Sequence, residues 1–154
     1  MTLDGKKQAV TQIFEVKQAA SKTLNMFVYD EIKPSGTNWY TGETVESETS
    51  SDWFRKQLEE NADAEQINLF INSVGGYVTE AMGIRAHLLR HKANKDGYVD
   101  GWAASAASFL LTACDTRNML TGSMQFIHEI STIAWGTAND FRQMADQMDR
   151  QMVG

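Results

Sequence analysis

Residues 101–114 constrain this chain more than any other stretch: Gly101-Trp102-Ala103-Ala104-Ser105-Ala106-Ala107-Ser108-Phe109-Leu110-Leu111-Thr112-Ala113-Cys114. Apart from Trp102, the first half consists of residues with almost no side chain, so other backbone can approach it closely. The second half is apolar enough to form a buried helix. A serine in the first turn of that helix is held rigidly, with its own amide and its neighbour's among the unsatisfied donors of the helix start. Such a setting suits Ser105 as an acyl-transfer nucleophile. The same residues also describe a small-residue core helix whose hydroxyls bond back to the preceding turn, and the rest of the chain has to separate the two readings.

With 154 residues, 42% hydrophobic and 22% charged, the chain is long enough for one compact domain over residues 1–154 with a sizeable core. Fourteen basic residues against twenty acidic ones give a net charge of −6. Without a basic cluster to meet a phosphate backbone, nucleic acid is not an expected partner. The single cysteine, Cys114, has no partner for an internal disulfide, and its apolar neighbours predict a buried thiol in a reducing compartment. The first ten residues hold lysines without a following apolar run, and no segment reaches the length of a membrane span. A cytosolic protein without membrane partners is expected.

From the N-terminus, Gln12–Lys17 alternates weakly, and Met26–Ile32 is a stronger strand candidate. Residues 33–52 form a long polar loop with the only proline, Pro34, and with Trp39 and Tyr40 at its middle, which suits either mobility or contact. Ser50 or Ser51 then caps a helix from Asp52 to about Asn61. Ile67–Asn72 reads as a strand ending in Ser73-Val74-Gly75-Gly76, where two glycines permit positive φ and close approach of a ligand backbone. Taken alone, such a pair is more often a plain strand-to-helix turn. The next helix, about Thr79–His91, places Val78, Ala81, Met82, Leu88 and Leu89 on one face; Arg85 falls on that face without explanation. His87 and His91 are one turn apart but have no third ligand, so they read as a solvated face and no metal site is expected.

A strand near Tyr98 and Val99 leads into the serine stretch, and two short strands, Arg117–Leu120 and Met124–Ile127, follow, the second delivering His128. Alternating strands and helices predict an α/β domain with chemistry at the carboxyl ends of its strands. Gly75-Gly76, Ser105 and His128 all follow strands and can converge on one edge.

INLFINSVGGYV, GWAASAASFLL and MQFIHEI together resemble the oxyanion turn, nucleophile and general-base segments of the Clp protease proteolytic subunit family, in the same order and at similar spacing. The resemblance runs from about Met26 onward. It implies an α/β fold of the ClpP/crotonase type, built of repeated ββα units. It also implies Ser105 and His128 as catalytic residues, the amides of Gly76 and Ala106 as oxyanion hole, and Gly75 and Tyr77 beside the substrate, with no cofactor and no metal. Within the family, the insertion at 33–52, the AASAAS form of the nucleophile motif and the tail Gly136–Phe141 are most similar to phage and prophage head-maturation proteases. Those enzymes act on capsid or scaffold chains in the host cytoplasm or the assembling prohead.

Val74 stands where the family usually has proline, and Ala106 replaces a larger residue. The family's third triad member, an aspartate, lies beyond the handle helix that follows the histidine, whereas this chain stops at Gly154 within that helix; Asp140, Asp146 and Asp149 do not match it. Weak activity is therefore expected. Three alternatives follow from the same residues: a subunit of an ATP-dependent Clp protease with a AAA+ unfoldase partner, an inactive truncated homologue with an assembly role, and a crotonase-type acyl-CoA enzyme. Finally, Ala138, Phe141, Ala145, Met148 and Met152 recur at spacings of three and four, predicting a helix from near Asn139 with an apolar stripe. The stripe predicts a homo-oligomer formed through this helix.

Overall fold

The computed structural model describes residues 22–152. From β1 (Thr23–Val28) the chain passes through a small hairpin, β2 (Gly36–Thr37) and β3 (Thr44–Val45), into helix α1 (Ser51–Glu60) and strand β4 (Gln66–Ser73). Helix α2 (Val78–Arg90) leads to β5 (Asn94–Ala104). A short α3 (Ala106–Leu110) and a 3₁₀ turn (Leu111–Ala113) connect β5 to β6 (Thr116–Met119), and β7 (Met124–Phe126) and α4 (Ala138–Met152) follow. The strands β1, β4, β5 and β6 lie side by side in that order, all parallel, and β7 pairs in parallel with the last residues of β5. This is the α/β architecture expected from the sequence, with a parallel sheet.

Alternation within the strands makes one face of the sheet the core. Leu24, Met26 and Val28 of β1, Ile67, Leu69 and Ile71 of β4, and Val99 of β5 are all buried against Phe54 and Leu58 of α1, Ala81, Ile84 and Leu88 of α2, and Leu110 of α3. On the opposite face the in-register residues Phe27, Phe70 and Tyr98 stack with ring centroids 5.0 Å apart. Beside them the Tyr29 hydroxyl donates to Asp100; burial, together with that carboxylate, pushes the phenol up to about 12. Among the described residues no helix is long and apolar enough to cross a membrane.

Several sequence expectations need adjustment. The alternation at Gln12–Lys17 lies outside the described residues. The first strand begins at Thr23 and ends at Val28 rather than spanning Met26–Ile32; Ile32 instead forms an isolated parallel bridge with Gly76. Residues 33–52 include the hairpin, whose tip leaves Trp39 88% and Tyr40 82% exposed, edge-to-face with each other. The end of this segment is anchored by buried Ser47, Thr49 and Ser50, and Ser50 caps α1 by accepting the Trp53 amide at 3.2 Å.

On α2 the buried residues are Ala81, Ile84 and Leu88, whereas Met82 and Leu89 flank that face and are half-exposed. Arg85 now has an account. Its guanidinium lies 5.0 Å from the Phe109 ring centroid, and its Nε donates to Thr112 Oγ1 at 2.6 Å, tying α2 to the segment after the serine. His91 is no solvated side chain: its Nε2 meets the Asn61 carbonyl at 3.2 Å and its Nδ1 accepts the Ala93 amide at 3.2 Å. These contacts stitch the end of α1 to the entry of β5. Cys114 is buried as expected, which pushes its thiol up to about 11.

Candidate active site

The small residues Gly101–Ala104 belong to β5, not to the first turn of the helix. Ser105 stands between strand and helix at φ 52°, ψ −128°, the one non-glycine residue with positive φ among the described residues. An L-residue adopts this geometry only where its surroundings impose it. Here three contacts do so. The Ser105 amide donates to the Phe126 carbonyl at 2.8 Å, and the Ser105 carbonyl accepts both the Ser108 amide at 2.9 Å and the Ser108 hydroxyl at 2.6 Å. Ser108 is thus buried and committed to holding the turn, while Ser105 Oγ makes no hydrogen bond among the described residues.

Gly75 lies directly against this elbow. A Cβ on Gly75 would sit 2.7 Å from the Ala104 carbonyl oxygen, 2.7 Å from Ser105 Cβ and 2.9 Å from the Ala106 nitrogen. Its φ of 97° and the 142° of Gly76 are also open chiefly to glycine. The turn is clamped on its other side by the chain leaving β1. Ile32 N donates to Gly75 O at 2.7 Å, Tyr77 N donates to Ile32 O at 2.8 Å, and Ser73 Oγ bridges from the Gly75 amide at 3.1 Å to the Asp30 carbonyl at 2.7 Å. Thr49, from the end of the polar segment, donates to Glu31 O at 2.7 Å. Sequence reasoning missed this clamp; Ile32 carries no chemical signature, and only the bridge to Gly76 gives it a role.

The amides of Gly76 and Ala106 have no acceptor among the described residues, and Ala106 is the first residue of α3, where an intrahelical partner is unavailable. His128 arrives from the neighbouring strand. Because Ala104 pairs with Phe126, Ser105, one residue past β5, and His128, two residues past β7, stand at one end of adjacent strands. The His128 ring is exposed and tilted against Phe126 with centroids 5.6 Å apart, and no hydrogen bond joins it to Ser105. Such bonds often close only on substrate binding. Tyr77 is exposed beside the glycine turn.

No carboxylate among the described residues bonds His128. Asp140, further along the chain, is occupied elsewhere: its Oδ2 accepts both the Thr137 amide and hydroxyl at 2.7 Å, closing the start of α4, and the hydroxyl contact, then the amide, hold its carboxyl below the usual range. His87 pairs with Arg90 at 2.8 Å, and burial, with the nearby guanidinium, lowers its pKa.

The arrangement is a half-buried serine with an unbonded hydroxyl on a strained turn, a glycine backbone pressed against it, free amides beside it, and an imidazole at the next strand end. The Clp protease family model matches residues 36–152, which includes all of these groups. The chain therefore belongs to the Clp protease family, whose members act on protein substrates and form oligomers.

Proposed function

We propose that the chain is a serine endopeptidase in which Ser105 Oγ is the nucleophile, His128 the general base, and the Gly76 and Ala106 amides the oxyanion donors. The single observation carrying this reading is the positive φ of Ser105, wedged against Gly75. His128 takes the hydroxyl proton as Oγ bonds to the scissile carbonyl carbon, and the two amides hold the developing oxyanion. The imidazolium then gives its proton to the leaving amine as the C–N bond breaks. Water, deprotonated by His128, releases the acyl group and restores the serine. Gly75 and Tyr77 flank the peptide. Among the described residues no carboxylate orients His128, and a serine–histidine pair working without one is slower by about 10⁴, or roughly 5 kcal/mol.

The test is labelling with a fluorophosphonate, followed by mass spectrometry. Modification at Ser105 alone is expected, because Ser108 is buried with its hydroxyl donated to Ser105 O. Label at Ser108 or elsewhere with Ser105 clean would overturn the assignment.

Within the family the reading extends to the head-maturation branch, supported by the insertion at 33–52, whose hairpin offers Trp39 and Tyr40 to a partner protein. Cleavage of co-expressed capsid or scaffold chains without ATP is expected. Proteolysis that requires ATP and a AAA+ unfoldase would assign the chain to the other branch.

The reading also includes assembly through α4. This helix runs Ala138–Met152 as the periodicity predicts, with Phe141 49% exposed and Ala138 and Ala145 exposed; Met148 is half-buried, and the Met152 side chain lies outside the described set. An apolar stripe left this open favours a second copy over water. Phe141→Glu with Met148→Glu is expected to convert an oligomer to monomer in sedimentation. A wild type already monomeric at high micromolar concentration would refute the idea.

A further inference from the structure

We infer that Asn72 is a positioning residue that sets the offset between the glycine turn and the Ser105 elbow, with Gly101 as its seat; this rests on the serine-peptidase reading above. The β4–β5 ladder loses register just before the site. Ile71 pairs with Val99 and Ser73 with Ala103, so β4 spends only Asn72 where β5 spends Asp100, Gly101 and Trp102. A bulge of this kind breaks the ladder and leaves β5 amides without backbone partners. Asn72 repairs the gap: its Oδ1 accepts the Trp102 amide at 3.1 Å, in place of a backbone carbonyl. The carboxamide reaches that amide because Gly101 has no side chain. A Cβ there would stand 2.5 Å from Asn72 Oδ1 and 3.1 Å from its Cγ.

The position of this repair is what matters. Beyond Asn72, β4 needs three residues to reach Gly75; beyond Trp102, β5 needs three to reach Ser105. The two arms meet where Gly75 packs on Ser105 and the Ala106 nitrogen. Asn72 is therefore the last side-chain link between the strands before they present the oxyanion turn and the nucleophile. A slip at Trp102 moves Ser105 relative to Gly76 without touching either, and misplacements of about 1 Å cost about 10²-fold in such sites.

The experiment combines amide hydrogen exchange with fluorophosphonate labelling of the full chain. In Asn72→Ala, exchange at the Trp102 amide should rise about tenfold, and the labelling rate of Ser105 should fall at least tenfold, with the thermal midpoint little changed. Asn72→Asp keeps the acceptor and should restore most of the labelling rate. Gly101→Ala should reproduce Asn72→Ala by evicting the carboxamide, and the double variant should be no worse than either alone, since both remove one contact. Unchanged Trp102 exchange in Asn72→Ala overturns the inference, as do wild-type labelling in that variant or losses that multiply in the double variant. Absence of any label on Ser105 in the wild type counts against the peptidase reading instead, and the exchange data then decide the role of Asn72 by themselves.

Discussion

Ser105→Ala is expected to abolish acylation and reduce peptide hydrolysis to the background of the fold, and His128→Ala to do nearly the same, each by about 10⁴-fold or more where a complete triad operates. In the proposed mechanism the hydroxyl and the imidazole act as one unit, so the double variant should be no slower than either single one. What remains is the work of the Gly76 and Ala106 amides and of substrate binding. The measurement is single-turnover hydrolysis of a chromogenic peptide ester, which is sensitive even when amide hydrolysis is weak. Losses that multiply, giving a double variant far slower than each single one, would show that His128 acts on something other than the Ser105 proton. Strong Ser105-dependent amide hydrolysis by the 154-residue chain would mean that a carboxylate from the same chain or from a neighbouring copy orients His128.

Gly76→Ala is the second large effect. A Cβ at Gly76 runs into the Ile32 carbonyl oxygen, inside van der Waals contact, and comes 2.9 Å from the Ile32 nitrogen. Both obstacles are backbone, so neither can swing aside, and alanine at φ 142° is strained as well. The bridge between Ile32 and Gly76 should open, destabilising the fold by roughly 2–5 kcal/mol. The turned-away amide should cost a further 10²–10³ in acylation, about the value of one oxyanion donor. Urea denaturation and phosphonylation rates measure the two parts separately. A variant that keeps wild-type values in both would remove the turn from the site.

Helices α1, α2 and α4 and strand β4 were legible because they depend on local pattern. Ser50 at the start of α1, the buried alternation of Ile67, Leu69 and Ile71, and the 3–4 spacing through α4 all rest on neighbours in the chain. Gly75-Gly76 was readable as a turn, but its fit against Ser105 was not, since that contact joins residues thirty apart in sequence. The same limit applied to Gly101–Ala104. Small residues suit a close-packed helix as well as a strand that must admit Asn72 and Gly75, and only the partner strands decide between them. Arg85 looked misplaced on an apolar face because its aromatic partner, Phe109, comes from another helix. The Ile32 clamp had no local signature at all.

With Ser105 as the proposed nucleophile, its geometry sets stability and chemistry against each other at a single position. Glycine would occupy φ 52°, ψ −128° without strain, so Ser105→Gly should relieve a cost of the order of 1 kcal/mol. A directed-evolution campaign scored on thermal tolerance alone would thus drift toward an inert protein at residue 105. Only a screen that also scores turnover would keep the serine.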